Sequence, residues 1–153
     1  MSSFGAEVVW NRQETEKFTD RRYSRGHIWR FDGGAEVPAS SSPHVVPLPY
    51  SVEQNVDPEE AFVASLSSCH MLFFLHFASD EGLVIDQYFD AATGVMETID
   101  GKTIITKVTL KPKVTYGGKA PDLALEDDLH HRAREACFLA NSVKAEVVAE
   151  PVR

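Results

Sequence analysis

The stretch DPEEAFVASLSSCHMLFFLHFASD, from Asp57 to Asp80, decides the fold. Asp57 is a good helix N-cap, Pro58 suits the first helical position, and Glu60 stands where the partner of a capping box belongs. The spacing predicts a helix to about Ser79, stopped before Gly82. Between Ala61 and Ser79 no residue carries a formal charge, and Phe62, Val63, Leu66, Met71, Leu72, Phe73, Phe74, Leu75 and Phe77 occupy every face. A helix apolar all round is enclosed either by protein or by lipid. Acids flank both ends (Glu59-Glu60 and Asp80-Glu81), and Ser65, Ser67, Ser68, Cys69, His70 and His76 interrupt the run. Spanning helices carry Lys or Arg on a flank, so a buried core helix is expected and no membrane.

Outward from this helix the pattern is β-rich. Towards the N-terminus, Ala6–Arg12 and Tyr23–Phe31 read as strands, Asp32-Gly33-Gly34 as a turn leading into Ala35–Pro38, and Pro38–Pro49 as a loop. Beyond Gly82, strands are expected over Val84–Ala92, Gly94–Ile99 and Lys102–Tyr116, with Asp100-Gly101 as a hairpin turn. A second helix starts near Asp122, with Leu125, Leu129, Ala133, Ala136 and Cys137 along one stripe. Lys144–Glu150 closes the chain as a strand. The order is that of an α+β fold in one domain, residues 1–153. So short a chain has little sheet with which to surround its first helix. Two such helices packed across a two-fold axis would cover each other, and a homodimer with an extensive apolar interface is expected.

The 153 residues are 43% hydrophobic, enough for a core, and carry a formal net charge of −8. No basic cluster is longer than Arg21-Arg22, which argues against nucleic acid or an anionic membrane as partner. The N-terminus has no basic segment followed by an apolar run, so a cytoplasmic location is expected. In that compartment Cys69 and Cys137, the two cysteines, are catalytic, metal-binding or buried and inert rather than a structural disulfide.

Two readings of the cysteines stand: a pair of small buried hydrophobes, or an attacking and a resolving thiol. Cys69 lies among small and polar neighbours in an otherwise apolar helix, and Cys137 lies where the second helix ends. Burial disfavours a thiolate, so a reactive Cys69 needs a nearby cation. Arg21, Arg22, Arg25 and Arg30 are the candidates, against a surface role for each. His70 follows Cys69 directly but points about 100° away from it around the helix, which fits a packed histidine, as expected also for His76. His130-His131 fit a solvated helix face. Glu59 lies about 15 Å along the helix axis from Cys69 and has a sufficient role as a first-turn acid. The His and Cys spacing matches no standard zinc pattern. No phosphate-binding loop or nucleophile-elbow motif appears.

Two segments resemble a known family. Val56-Asp57-Pro58-Glu59-Glu60-Ala61-Phe62 with Ser67-Ser68-Cys69-His70 resembles the Pro-Glu-Glu … Cys block of OsmC/Ohr-type proteins. Cys137-Phe138-Leu139-Ala140-Asn141-Ser142-Val143-Lys144 resembles their second-cysteine block, although the family commonly has Pro where this chain has Phe138. The resemblance implies an intertwined homodimer with two long central helices enclosed by antiparallel β-sheets. It further implies reduction of organic hydroperoxides, or of hydrogen peroxide, to alcohol and water. Thiol chemistry adds an external dithiol as reductant, a lipoyl protein or another thiol, and requires no bound cofactor. On the resemblance, Cys69 becomes the attacking thiol and Cys137 the resolving one, while Glu59 matches the acid that orients an activating arginine. Arg25 is the best match for that arginine, with Arg22 next. Phe62, Leu66, Phe73 and Trp29 are candidates to line an apolar channel. A redox-sensing or small-molecule-binding protein of the same fold is the alternative from another class, and a scaffold with inert thiols is a third.

Overall fold

The computed structural model describes residues 1–153, which divide into two compact units, Met1–Ala61 and Phe62–Arg153. In the first, β1 (Glu7–Val9), β2 (His27–Arg30) and β3 (Glu36–Ala39) form an antiparallel sheet in the order β1-β2-β3. The β2–β3 turn falls at Asp32-Gly33-Gly34, where Phe31 and Ala35 are joined by a 3.0 Å backbone hydrogen bond. The first two strands are shorter than their sequence suggests because the chain between them is drawn into side-chain contacts. Phe18 stacks on Tyr23 at 4.6 Å, and both pack against Trp10. The Glu16 carboxylate accepts from the backbone N–H groups of Gln13 and Ser24. The proline-rich loop returns to β3: Val56 N–H donates to Pro38 O, Ser40 N–H to Val56 O, and Asn55 Nδ2 to Ala39 O.

Helix α1 (Pro58–Asp80) starts with the expected capping box. Glu60 N–H donates to Asp57 Oδ1 and Asp57 N–H to Glu60 Oε1, both at 2.8 Å. It ends at Gly82, whose φ of +74° is open to glycine at little cost and lets Leu83 N–H reach back to Ala78 O. α1 is long and apolar enough to cross a membrane by composition. In this fold it buries one stripe, Leu66, His70, Phe74 and Ala78, at helical spacing of four. Enclosure on every face was expected; a single chain encloses only this stripe and leaves Leu72 60% exposed.

The second unit adds β4 (Ile85–Asp90), β5 (Thr93–Ile99), β6 (Lys102–Leu110), β7 (Pro112–Tyr116), α2 (Leu123–Ala136), a short 3-10 turn at Ala140–Ser142 and β8 (Glu146–Ala149). β4 pairs antiparallel with β7, and β5 with β6. The β5–β6 turn at Asp100-Gly101 has φ of +51° and +76°, which the Asp-Gly pair tolerates. Gly94 on β5 is needed for packing, since a Cβ there would meet Val63 Cγ2 of α1 at 2.8 Å. α2 is capped by Asp122, whose side chain accepts from Leu125 N–H.

Two sequence expectations are corrected here. Lys102–Tyr116 is two strands, because the Asp90 carboxylate takes the Lys111 N–H at 2.6 Å and the buried Pro112 has no N–H to donate. The sheets are also not wholly antiparallel. β8 pairs parallel with β6, since it arrives after the α2 crossover rather than through a hairpin.

The second unit's core has two parts. Leu66, Val108, Leu110, Cys137, Ala140, Ala145 and Val147 form one, and Phe74, Ala78, Leu129 and Ala133 the other. The architecture is mixed α+β, with two helices and three small sheets.

Candidate active site

Helical phase sets where Cys69 lies. It is one position before His70 on the buried stripe, so its side chain stands at the edge of that stripe, half-buried. It packs against the core part that contains Cys137. Cys137 is the C-cap of α2, with φ −62° and ψ +114°, and is wholly buried. Its own N–H still completes the helix by donating to Ala133 O at 3.0 Å. The extended ψ turns the chain back, so that Ala140 N–H reaches Cys137 Sγ at 3.4 Å and Asn141 N–H reaches Cys137 O at 3.1 Å.

The Cys69 thiol lies close enough to Cys137 to act on its protonation. Burial pushes the Cys137 thiol above its ordinary value, and the Cys69 contact adds to this, while the N–H groups of Ala140 and Leu139 pull in the opposite direction. Cys137 therefore holds its proton more tightly than a thiol in water. Cys69 also lines a cavity of about 560 Å³, together with Ser65, Ser68, Leu72, Phe73, His76, Phe138 and Leu139. Phe73 and Phe138 meet edge to face at 5.0 Å in its wall. Of the channel candidates, Phe73 lines this cavity, whereas Leu66 is buried in the core beneath it.

Arg25 and Glu59 belong to the first unit. The Arg25 guanidinium donates to Arg21 O at 3.0 Å and to Tyr23 O, and lies over the Tyr23 ring at 3.6 Å. Arg30 is engaged with Glu36 at 3.2 Å, and Arg22 is exposed. Glu59 sits in the first turn of α1, and its Oε2 is shielded from water without a hydrogen-bond partner.

The histidines depart from expectation in two places. His70 is buried as expected, but His76 is exposed and pairs with Asp80 at 3.6 Å, because position 76 lies off the buried stripe. His130 is buried, not solvated. Its Nδ1 lies 3.0 Å from His70 Nε2, the rings stack at 5.3 Å, and Phe74 covers His130 at 4.2 Å. Burial pushes His70 down to about 4 and His130 to about 3, so the pair is neutral and one ring N–H donates to the other ring's bare nitrogen. His70 was legible from the spacing of four with Leu66 and Phe74. His130 was not, since its neighbours Asp127, Asp128, His131 and Arg132 read as a wet face. No group of three or more His, Cys, Asp or Glu side chains is placed to hold a metal ion.

The family model described as OsmC-like protein matches residues 52–151. An OsmC-like protein of unknown function from Vibrio cholerae has 52% identity and a TM-score of 0.96, the match covering 99% of this chain and 100% of that one. An organic hydroperoxide resistance protein from Elizabethkingia anophelis superposes with a TM-score of 0.72 at 14% identity, covering 99% of this chain and 98% of the other. The organic hydroperoxide resistance protein OhrB of Bacillus subtilis does so at 0.65 and 19% identity, covering 97% and 98%. At such identities the likeness is one of fold. No curated protein matches the chain. With its family model spanning both cysteine blocks and a relative alike over its whole length, the chain belongs to the OsmC-like protein family.

Proposed function

We propose that this protein is a thiol peroxidase that reduces organic hydroperoxides in the cytosol. The observation that carries the reading is that Cys69 lines a cavity and packs against the core part that holds the buried Cys137. The Cys69 thiolate attacks the outer oxygen of the hydroperoxide; the O–O bond breaks, alcohol leaves, and Cys69 becomes a sulfenic acid. Cys137 then attacks that sulfur, water leaves, and a Cys69–Cys137 disulfide forms. An external dithiol, such as a lipoyl protein, restores both thiols and is itself oxidised to a disulfide. Sulfur carries both electrons throughout, so no cofactor is called upon.

From the resemblance, Arg25 is proposed as the source of the positive charge that a Cys69 thiolate needs, and Glu59 as the acid that orients it. The solvent-shielded, unpartnered Oε2 of Glu59 supports that role, since a buried carboxylate oxygen without a donor is costly unless it serves a cation. The mostly apolar cavity wall favours alkyl over hydrogen peroxide. The working form is an intertwined homodimer with the two α1 helices at its centre. In its favour are the exposed Leu72 of α1 and strand β5, exposed along its whole length with Val95, Met96 and Ile99 on it.

The test is consumption of cumene hydroperoxide by the purified protein with dihydrolipoamide. Sustained turnover, lost in Cys69→Ser, supports the peroxidase. One equivalent consumed per site would make the protein a redox sensor instead, and no consumption would leave a binder or scaffold.

A further inference from the structure

Cys69 and Cys137 differ in ways that bear on the second half of the cycle. Cys69 lines the cavity and is half-buried, whereas Cys137 is wholly buried in one core cluster with Leu66, Val108, Leu110 and Val147. A reductant entering from solvent meets only the Cys69 sulfur. When that sulfur is attacked, the electron pair of the S–S bond must go to Cys137 Sγ. A thiolate leaving into an apolar core is disfavoured by desolvation, and thiol exchange slows as the leaving thiol becomes more basic. The structure meets this cost locally. Ala140 N–H donates to Cys137 Sγ at 3.4 Å, and Leu139 N–H also favours the charged form.

That N–H cradle is a turn held by side chains. Arg134 Nε donates to Val147 O at 3.0 Å and its Nη1 to Asn141 Oδ1 at 3.5 Å. Asn141 Nδ2 donates to Glu135 O at 2.9 Å, and Asn141 N–H to Cys137 O at 3.1 Å. Ser142 Oγ closes the turn on Phe138 O at 2.6 Å. Arg134 thus ties α2, the turn after Cys137 and β8 together, although nothing in its sequence position marks it as more than a surface residue.

We infer that the reducing dithiol attacks Cys69, that Cys137 is the leaving thiolate stabilised by the Ala140 N–H group, and that Arg134 and Asn141 position this cradle. The inference rests on the cysteine-pair reading above. One thiolate of the dithiol bonds to Cys69 Sγ as the Cys69–Cys137 bond breaks, and Cys137 takes up a proton. The second thiol of the reductant, as thiolate, attacks the first at the mixed disulfide. Cys69 leaves as a thiolate and the reductant closes into a cyclic disulfide.

The experiment starts from protein oxidised with diamide, which makes the Cys69–Cys137 disulfide whether or not the protein reduces peroxides. A failure of the peroxidase reading is therefore distinguishable from a failure here. Brief reaction with glutathione is quenched with acid, and free thiols are capped with N-ethylmaleimide in denaturant before peptide mass analysis. The expected product carries glutathione on Cys69 and the maleimide on Cys137. Glutathione on Cys137, an even mixture, or no disulfide after diamide would each overturn the inference. In Arg134→Ala the reduction slows about tenfold, as for a lost charge-assisted hydrogen bond, and the adduct spreads to both cysteines. Arg134→Lys, which keeps one charged donor, restores the preference for Cys69. An unchanged rate and adduct in Arg134→Ala would remove Arg134 from the scheme.

Discussion

Cys69 and His70 are neighbours on α1, and the core handles them in opposite ways. Cys69 stands at the edge of the buried stripe, with one side on a cavity and the other against the core part that holds Cys137. His70 stands on the stripe itself, sealed against His130 under Phe74, with no route to solvent. One step of about 100° around a helix separates a thiol on a cavity wall from an imidazole held neutral in the core. Around Cys137 the buried neighbours are aliphatic, with the Ala140 N–H on its sulfur. Near the imidazoles the packing is aromatic, and His70 Nδ1 and His130 Nε2 have no partner.

The largest effect that would break this contrast is Cys69→Ser. Turnover of cumene hydroperoxide should fall to background, whereas Cys137→Ser should still consume about one equivalent and accumulate a sulfenic acid that dimedone labels. Equal losses in both variants, without a sulfenic acid in either, would erase the division of roles.

At the other part of the core, Phe74→Ala should lower unfolding free energy by about 3–5 kcal/mol, measured by urea denaturation, because Phe74 is wholly buried and covers both Tyr88 and His130. A change under about 1 kcal/mol would mean that this end of the core is loosely packed.

The histidine pair makes stability depend on pH. Folded values of about 4 and about 3, below the unfolded 6.5, mean that the unfolded chain binds protons first as pH falls. The pair's contribution is complete above pH 6.5 and declines as pH falls towards 4, with Asp90 and Asp127 opposing the shift and Arg134 and Arg153 adding to it. For His70 alone the loss is on the order of 3 kcal/mol. Urea unfolding at pH 7, 5.5 and 4.5 in the parent and in a His70→Leu/His130→Leu variant checks this. The parent's loss should be steeper, and parallel curves would show that the imidazoles are not the cause.

The smallest effect concerns Phe138, 71% exposed and on the cavity wall against Phe73. Phe138→Ala should raise KM for cumene hydroperoxide several-fold while leaving tert-butyl hydroperoxide nearly unchanged, as for the loss of one aromatic contact. Equal changes for both substrates would place Phe138 outside the binding surface.

Local chemistry made most of the elements legible. The Asp57–Glu60 capping box, the Gly82 stop, the Asp100-Gly101 turn and the Asp122 cap each depend on residues a few positions apart, and each appears where its pattern stands. Both cysteines were likewise visible as candidates, because each sits at an interruption in an apolar pattern. Only the tertiary structure decided which long-range partners won. Asp90 claimed the Lys111 N–H and split one strand into two, β8 came to lie parallel to β6, and His130 turned inward to meet His70. Periodicity and capping are set by neighbours along the chain, whereas these contacts join residues far apart in sequence, and their free energy exists only once the core has closed around them.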